Sequence, residues 1–190
     1  MIAIIKYNGG NTQSVQNAIH RLGYECVVTD DSEQINSAEK VIFPGVGQAG
    51  SAMQALKAAG LDSLIPTLKQ PVLGICLGLQ LMCRFSEEGN TAGLGIFDTD
   101  VKKFPPQDIV PHMGWNTINT SDKQLFNGID EHFYFVHSYY AALCGNTIAQ
   151  CDYILPYSAA LQKDNFYAVQ FHPEKSGAAG EQLLKNFLAL

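Results

Sequence analysis

The sequence predicts an α/β fold in which helices flank a mostly parallel central sheet, with an additional antiparallel β element in the second half. In the first half, short apolar runs alternate with helical patterns, which is the order of a parallel sheet with crossover helices. In the second half, the apolar runs are short, rich in β-branched and aromatic residues and separated by turn signals. The length of 190 residues suits one domain, which we expect to span residues 1–190.

The first half supplies the predicted parallel strands and their helices. The strands are expected at Met1–Ile5, Tyr24–Thr29, Lys40–Phe43 and Val72–Ile75. Apolar residues at spacings of three and four predict a helix over Thr12–Leu22, and Gly23 is placed to end it. A second helix should bury Met53 and Leu56, and a third should begin directly after Cys76.

The second half supplies the predicted antiparallel element and a closing helix. Strand patterns cover residues 95–104, 110–119, 132–140, 147–153, 159–162 and 166–171. Residues 163–165 read as a hairpin turn. Ser176 is a predicted N-cap for the last helix, and the apolar face of that helix is formed by Leu183, Leu184, Phe187 and Leu188.

Composition excludes several classes of function. A net charge of −6 with twelve scattered Lys and Arg residues argues against nucleic-acid binding. No apolar run approaches the roughly 18 residues of a membrane span, and no signal peptide is recognised. Five cysteines without a Cys-x-x-Cys motif suggest neither a disulfide framework nor a zinc ribbon, so we expect a cytoplasmic protein.

Cys76 stands between two glycines in the frame Gly74-Ile-Cys-Leu-Gly78, directly after a predicted strand. This frame has the spacing of a nucleophile elbow, with cysteine in place of serine. Glycines relieve the crowding where a strand turns abruptly into a helix, and the unpaired N–H groups of the helix start favour a thiolate. The alternative is a buried structural cysteine beside flexible glycines, and the motif alone does not decide between the two.

A base for this nucleophile is offered by the stretch AVQFHPE at residues 168–174. Pro173 should end a strand here, and side chains at positions i and i+2 of an extended segment point the same way. Glu174 can therefore orient His172 while the other ring nitrogen faces Cys76. Taken alone, His-Pro-Glu reads as a strand end and a turn; together with the elbow, it favours a Cys-His-Glu triad.

The glycine-rich loop PGVGQ at residues 44–48 follows another predicted strand. Glycines allow backbone N–H groups to turn toward a ligand, as an oxyanion hole requires, and the N–H of Leu77 would be the second donor. A phosphate-binding loop is the alternative, but the loop lacks the patterns of both common nucleotide-binding motifs. No histidine pair has the spacing of a metal site, so we expect neither a metal nor a cofactor.

The motifs PGVG, GICLGLQ and QFHPE occur in an order and at separations that resemble the class I glutamine amidotransferases, over about residues 2–188. Within that class, GNTQSV, PHMGWN, YFVHSYY and HPEKS are similar to the glutaminase subunits of imidazole glycerol phosphate synthase. The chain departs from the family at Lys6-Tyr7-Asn8, usually of Asp-Tyr-Gly type, and at Thr12, usually apolar. The resemblance implies a flavodoxin-like fold.

The resemblance also implies a reaction and the residues that perform it. Cys76 attacks the side-chain amide of glutamine. His172 protonates the leaving ammonia and then activates the water that releases glutamate, and Glu174 orients His172. The N–H of Leu77 and one from the Val46–Gly47 turn bind the oxyanion. The implied glutamine-binding residues are Gly47, Gln80, Glu88, Ser138 and Tyr139. One helical turn separates Gln80 from Cys76, which independently places them close together; the alternative for Gln80 and Glu88 is a solvated helix face.

A partner is implied as well, because 190 residues leave no room for a domain that binds the ammonia acceptor. In the family this partner is a (β/α)₈-barrel cyclase subunit, which forms a heterodimer with the glutaminase and receives the ammonia. Trp115, Tyr139 and Lys175 are the candidate interface residues; for Trp115 the alternative is packing in the core. We expect low glutaminase activity for the isolated chain and a strong increase with the partner.

Three other functions remain open at this point. The chain can be a related glutaminase that serves pyridoxal phosphate or anthranilate formation, although PHMGWN and HPEKS argue against this. A hydrolase of γ-glutamyl peptides with the same fold is the second. The third is a non-catalytic binding subunit that keeps the fold, which an intact triad makes a poor explanation.

Overall fold

A computed structural model describes residues 1–7, 11–129 and 132–190. Two residues of the stretches discussed above, Asn8 in the departure from the family and Gly10 in GNTQSV, lie outside these ranges. The structure confirms the predicted α/β fold with parallel and antiparallel strands. None of the helices in the described ranges is long and apolar enough to cross a membrane.

The first half of the chain alternates strands and helices. Its elements, in chain order, are β1 Ile2–Ile5, α1 Thr12–Arg21, β2 Cys26–Thr29, α2 Ser32–Ser37, β3 Lys40–Gly45, α3 Ala49–Ala58, α4 Leu61–Leu64, β4 Val72–Cys76 and α5 Leu77–Met82. The sequence did not predict α2 and α4. They bury only Ile35 and Leu61, respectively, which is too little for a helical period to be visible.

The second half is mainly β structure. Its elements are β5 Cys83–Ser86, β6 Thr91–Ala92, β7 Phe97–Lys103, β8 His112–Thr120, β9 His132–His137, β10 Tyr139–Ala141, β11 Thr147–Tyr153, β12 Leu155–Lys163, β13 Phe166–Val169 and α6 Gly177–Leu188. The predicted strand over residues 132–140 is interrupted at Ser138, and its two parts, β9 and β10, belong to different sheets. The short strands β5 and β6 were not predicted.

The main sheet has nine strands in the order β2-β1-β3-β4-β13-β12-β11-β8-β9. The strands from β2 to β13 are parallel, and those from β13 to β9 pair antiparallel. In register, Gly45 of β3 lies beside Cys76, and Val169 of β13 lies beside Ile75. The carboxyl ends of β3, β4 and β13 therefore meet at one edge, where the three motifs follow their strands. A second sheet has the order β10-β7-β5-β6.

Apolar side chains cover both faces of the parallel strands. In β1, Ile2 and Ile4 pack into one core with α1 and α6, whereas Ala3 and Ile5 pack into the other with α3 and α5. This period of two with both faces buried is typical of strands covered by helices on both sides. Because each fully buried aliphatic side chain contributes about 1.5–3 kcal/mol, the two cores hold the strand ends firmly in place.

Candidate active site

Cys76 occupies a strained turn between β4 and α5. Its backbone has φ 53° and ψ −107°, and α5 begins at the next residue, Leu77. A Cβ atom at Gly78 would overlap the carbonyl oxygen of Phe43 on β3, and one at Gly74 would lie 2.9 Å from the Met82 sulfur. Crowding against backbone therefore requires the glycine at position 78, as the motif predicted, whereas the nearest atom to a Cβ at position 74 belongs to a flexible methionine side chain.

His172 and Glu174 form a buried pair. Nδ1 of His172 donates to Oε1 of Glu174 over 2.8 Å, and the two side chains are only 2% and 1% exposed. The sequence predicted that the pair lies on one extended segment, and this is wrong. Strand β13 ends at Val169, and Pro173–Lys175 forms a 3-10 turn. Pro173 starts this turn because its fixed φ suits a helical first position.

The backbone of His172 is held from two directions. Its N–H donates to the carbonyl of Tyr134 on β9 over 2.9 Å, and its own carbonyl accepts from the hydroxyl of Ser176 over 2.6 Å. Ser176 is the residue before α6, as predicted, but its side chain does not cap that helix. The hydroxyl instead accepts from the N–H of Tyr134, so it joins His172 to the strand beside it.

The charges around His172 favour its protonated form. Burial alone would lower the pKa of His172, but the neighbouring Cys76 and Glu174 outweigh it and raise the pKa to about 10. Nε2 is buried and makes no hydrogen bond to any residue in the described part of the chain. Cys76 and His172 line the same pocket, so this nitrogen is the atom of the ring that is free to exchange a proton there.

A pocket of about 420 Å³ opens above Cys76. Ten of the predicted site residues line it: Val46, Gly47, Cys76, Leu77, Gln80, Glu88, Ser138, Tyr139, His172 and Lys175. Glu174 lies behind His172, and Trp115 lies outside the pocket. Gly47 has φ +102°, a conformation that suits glycine at the turn of the PGVG loop.

Gln80 and Glu88 are not on a solvated helix face, so that alternative is wrong. Gln80 is 5% exposed, and its Nε2 donates to the carbonyl of Tyr139 over 2.9 Å and to Oε1 of Gln170 over 3.0 Å. Glu88 lies in the turn between β5 and β6, where its Oε2 accepts from the N–H of Ala49 at the start of α3 over 2.7 Å. This bond fixes a carboxylate at the pocket wall.

Trp115 lies on the surface of β8, so packing in the core is excluded. Its side chain is 58% exposed, and that of Met113, two residues before it on the same face, is 67% exposed. The indole makes an edge contact with Tyr134 on β9. Met113 and Trp115 form an exposed apolar patch beside the edge of the main sheet.

Sequence reasoning assigned no role to several buried polar residues near the pocket. Gln170 is fully buried, and its Nε2 lies 3.6 Å from Sγ of Cys76. His112 and His137 are also buried, and their rings contact each other and Tyr157. The available signal was a glutamine inside an apolar strand pattern, in AVQFHPE, together with the unusual settings of the two histidines in PHMGWN and YFVHSYY.

The site contains the components of acyl transfer through a cysteine. A candidate nucleophile and an imidazole face one pocket together with a glycine-rich loop, and a carboxylate accepts from the imidazole on the side away from the pocket. Within residues 1–7, 11–129 and 132–190, no cluster of His, Cys, Asp and Glu side chains could hold a metal ion. The arrangement suits cleavage of an amide or ester through a thioester.

Comparison with known proteins identifies a family over almost the whole chain. The family model described as glutamine amidotransferase class-I matches residues 3–190. A protein of Bacteroides fragilis named imidazole glycerol phosphate synthase subunit HisH is 62% identical, with 100% of this chain and 99% of that protein covered. The protein of the same name from Escherichia coli K12 is 50% identical, with the same coverage.

Solved structures agree in fold. One described as a glutamine amidotransferase superposes with a TM-score of 0.78 at 17% identity, covering 99% of this chain and 97% of the other. The structure of PurLQS from Thermotoga maritima gives a TM-score of 0.73 at 14% identity, with the same coverage. At such identities the likeness concerns the fold alone.

Proposed function

The chain belongs to the class I glutamine amidotransferase family, and on that premise we propose that it is the glutaminase subunit of an imidazole glycerol phosphate synthase. The observation that carries the proposal is that Cys76 and His172 line one pocket while Glu174 accepts from Nδ1 of His172 behind it. The names of relatives at 62% and 50% identity over the full length support the particular synthase. That synthase forms imidazole glycerol phosphate and an aminoimidazole carboxamide ribotide in a step of histidine biosynthesis.

In the proposed reaction, Sγ of Cys76 attacks the side-chain amide carbon of glutamine. The carbonyl oxygen becomes an oxyanion, which accepts hydrogen bonds from the N–H of Leu77 and from the Val46–Gly47 turn. The C–N bond then breaks, and the proton on Nε2 of His172 passes to the leaving nitrogen, which departs as ammonia. The raised pKa of His172 supports this role, because a ring that is protonated at neutral pH can act as the acid.

The second half of the reaction releases glutamate. Water attacks the Cys76 thioester while Nε2 of His172 accepts one of its protons, and the C–S bond breaks to return the sulfur as a thiolate. Glu174 keeps the ring oriented through both steps, because Nδ1 donates to it over 2.8 Å.

The pocket wall offers groups for the amino-acid end of glutamine. Both N–H groups of the Gln80 amide are used within the protein, so its oxygen is the atom that can accept from the substrate ammonium. The carboxylate of Glu88, held by the N–H of Ala49, supplies a negative charge for the same group. Gly47, Ser138 and Tyr139 complete the proposed glutamine site.

The proposed partner is a (β/α)₈-barrel cyclase subunit that receives the ammonia in a heterodimer. Trp115 supports an interface near β8, because large exposed aromatic side chains are typical anchors of protein–protein contacts. Lys175 and Tyr139 line the pocket and are the proposed interface residues closest to the chemistry. The five cysteines, all described and all free, suit the reducing cytoplasm in which we place the reaction.

We further propose that the partner controls the reaction through the PGVG loop. The Val46–Gly47 peptide lies at the pocket, and the positive φ of Gly47 allows it to turn between orientations. A partner that stabilises the orientation with the N–H directed into the pocket would raise the glutaminase rate. The isolated chain is therefore expected to hydrolyse glutamine slowly.

The test is to measure glutamate release with and without the cyclase and its nucleotide substrate. We expect the rate to rise strongly in the complex; a high rate in the isolated chain that the partner leaves unchanged would contradict the proposal. Cys76→Ala should lose glutamine hydrolysis yet still form the complex and support synthesis from added ammonia. Cys26→Ala, on β2 and away from the pocket, is the matched control and should keep both activities.

A further inference from the structure

A chain of hydrogen bonds runs through buried side chains from β8 to the candidate nucleophile. On its outer part, Nδ2 of Asn116 lies 3.3 Å from Nε2 of His112, and Nδ1 of His112 lies 3.1 Å from Nε2 of His137. Nδ1 of His137 then lies 2.7 Å from the carbonyl oxygen of Tyr139. On the inner part, Gln80 links that carbonyl to Gln170, which ends 3.6 Å from the Cys76 sulfur.

The direction of the outer part is fixed by backbone carbonyls, which can only accept hydrogen bonds. Nδ2 of Asn116 donates to the carbonyl of Asp152 over 3.2 Å, so the same nitrogen faces Nε2 of His112. Nε2 of His112 must therefore accept, which leaves the proton of the neutral ring on Nδ1. That proton lies toward Nε2 of His137 at 3.1 Å and the hydroxyl of Tyr157 at 3.2 Å.

His137 is fixed in the same way from its other side. The carbonyl of Tyr139 requires a proton on Nδ1, so Nε2 accepts from His112 or from the hydroxyl of Tyr157 at 3.2 Å. Burial lowers the pKa of His112 to about 4 and that of His137 to about 3. Both rings are neutral at pH 7, which agrees with one proton per ring in this arrangement.

The carbonyl of Tyr139 also fixes the inner part. Because it accepts from Nε2 of Gln80, the nitrogen of Gln80 is the atom that faces Gln170, and Gln170 must face it with its oxygen. The nitrogen of Gln170 is then turned to Sγ of Cys76. A donor aimed at a nucleophile sulfur is thus imposed by the surrounding bonds.

We propose that Gln170 is a positioning residue for Cys76, whose amide N–H holds the sulfur in place and stabilises the negative charge that the sulfur carries when it attacks. Gln170 does not line the pocket; it lies behind the nucleophile and acts through it. A carboxamide that only filled space here would leave a buried N–H group without a partner, which destabilises a fold. This inference rests on the proposed function for its reaction, but the contact with sulfur can be tested without glutamine.

The first experiment measures how fast iodoacetamide alkylates Cys76 in the Gln170→Met variant at neutral pH, with the labelled peptide quantified by mass spectrometry. Methionine matches the volume but donates no hydrogen bond to the sulfur. We expect about tenfold slower labelling, the effect of losing one hydrogen bond to a charged group. In the complex, kcat should fall by about the same factor while KM for glutamine stays within about twofold, because Gln170 does not touch the substrate.

Gln162→Met, on β12, is the matched control, because its amide donates to the backbone carbonyl of Asp164 far from Cys76. It should label and turn over like the unchanged protein. Labelling at the unchanged rate in a folded Gln170→Met protein would overturn the proposal, as would a raised KM with kcat unchanged. If the unchanged protein labels at Cys76 but hydrolyses no glutamine with its partner, the proposed function fails while the Gln170 result still stands.

Gln170→Glu separates positioning from packing and carries the test if the methionine variant does not fold. Glutamate keeps the shape and the oxygen that accepts from Gln80, but it replaces the donor beside sulfur with a second acceptor. If Gln170 only packs, Cys76 should be labelled faster in Gln170→Glu than in Gln170→Met. The proposed role predicts that Cys76 is labelled at least as slowly in Gln170→Glu as in Gln170→Met. Labelling of Gln170→Glu at the unchanged rate would overturn the proposal.

Discussion

The pocket lies between two regions that position its residues by different means: the parallel strand β4 with its neighbour β3, and the antiparallel strand β9, whose His137 contacts His112 of β8 and Tyr157 of β12. On the parallel side, backbone geometry does the positioning: Cys76 has φ 53°, and Gly78 packs directly against the carbonyl of Phe43. On the antiparallel side, buried side chains do it, through hydrogen bonds among His112, His137 and Tyr157.

The difference implies two kinds of sensitivity to mutation. Where crowded backbone holds a nucleophile, any added atom must move a strand, so the cost is steric and does not depend on pH. Where neutral histidines hold a carbonyl, the cost depends on their protonation state, so it depends on pH. Substitutions in the two regions should therefore differ in how their cost in stability depends on pH, as well as in the size of that cost.

The largest effect is expected from Gly78→Ala, which breaks the backbone-built side. The new Cβ atom would overlap the carbonyl oxygen of Phe43, so β3 and α5 must separate. We expect a loss of about 3 kcal/mol in the free energy of unfolding, at the upper end for overpacking, and a large loss of glutaminase activity. Urea denaturation at pH 7 and pH 5 measures the cost, which should be the same at both.

Gly145→Ala is the matched control for this prediction. A Cβ atom added at Gly145 would have no heavy atom of the described residues within 4 Å, and this glycine does not need a positive φ. The stability of the variant should change by less than about 0.5 kcal/mol. Equal costs for the two variants would show that the elbow is not crowded.

Glu174→Gln tests the partner of the proposed base, His172. The pair lies between the parallel and the antiparallel regions. Glutamine can still accept from Nδ1 of His172, but the charge that helps to raise the pKa of His172 is gone. We expect kcat in the complex to fall about 100-fold, the usual scale of general acid–base catalysis. NMR titration should show His172 losing its proton at a lower pH than in the unchanged protein.

Glu181→Gln is the control, because Glu181 makes an exposed ion pair with Arg21 on the outside of α6. It should leave kcat and the titration unchanged. If Glu174→Gln keeps full activity, the proposed orienting role of Glu174 is wrong.

The backbone-built side could be predicted from the sequence because its signals are local. The frame G-x-C-x-G and the run His-Pro-Glu each place their residues within a few positions of one another. Even there, the 3-10 turn at Pro173–Lys175 was missed, since a contact between residues i and i+2 is compatible with more than one backbone conformation.

The side-chain network could not be predicted, because its contacts depend on strand order. Gln170 and Cys76 are 94 positions apart, and Gln80 and Tyr139 are 59 positions apart. The break at Ser138, which directs β9 and β10 into different sheets, left no pattern in an apolar and aromatic run. For buried polar residues such as His137, the sequence showed an unusual apolar setting but indicated no contact and no role.

His137→Asn should give a smaller effect that depends on pH. Folding holds the pKa of His137 at about 3, below the roughly 6.5 of an unfolded histidine, so its contribution to stability is complete above pH 6.5 and falls as the pH drops toward 3. Between pH 7 and pH 5, the titration of this histidine should lower the free energy of unfolding of the unchanged protein by about 2 kcal/mol. The variant should not show this loss, because asparagine does not titrate.

The measurement is the difference in unfolding free energy between His137→Asn and the unchanged protein at pH 7 and at pH 5. His112 and His172 remain in both proteins, so their contributions largely cancel from the difference. The variant should be the less stable at pH 7, and the gap should narrow by about 2 kcal/mol at pH 5. His20→Asn, on the exposed side of α1, should show no such narrowing; a gap of constant size for His137→Asn would mean that this ring is not held neutral.

Tyr157→Phe should have the smallest effect, because its hydroxyl is an additional link between the two rings. The hydroxyl lies 3.2 Å from both Nε2 of His137 and Nδ1 of His112, which are themselves joined over 3.1 Å. When the hydroxyl is removed, that direct bond remains, so we expect a loss of at most about 1 kcal/mol with no change in its pH dependence. Tyr24→Phe, at an exposed position, should be neutral by the same denaturation assay. A loss as large as that of His137→Asn would instead show that Nε2 of His137 accepts its hydrogen bond from Tyr157. His112 would then not be the donor to His137.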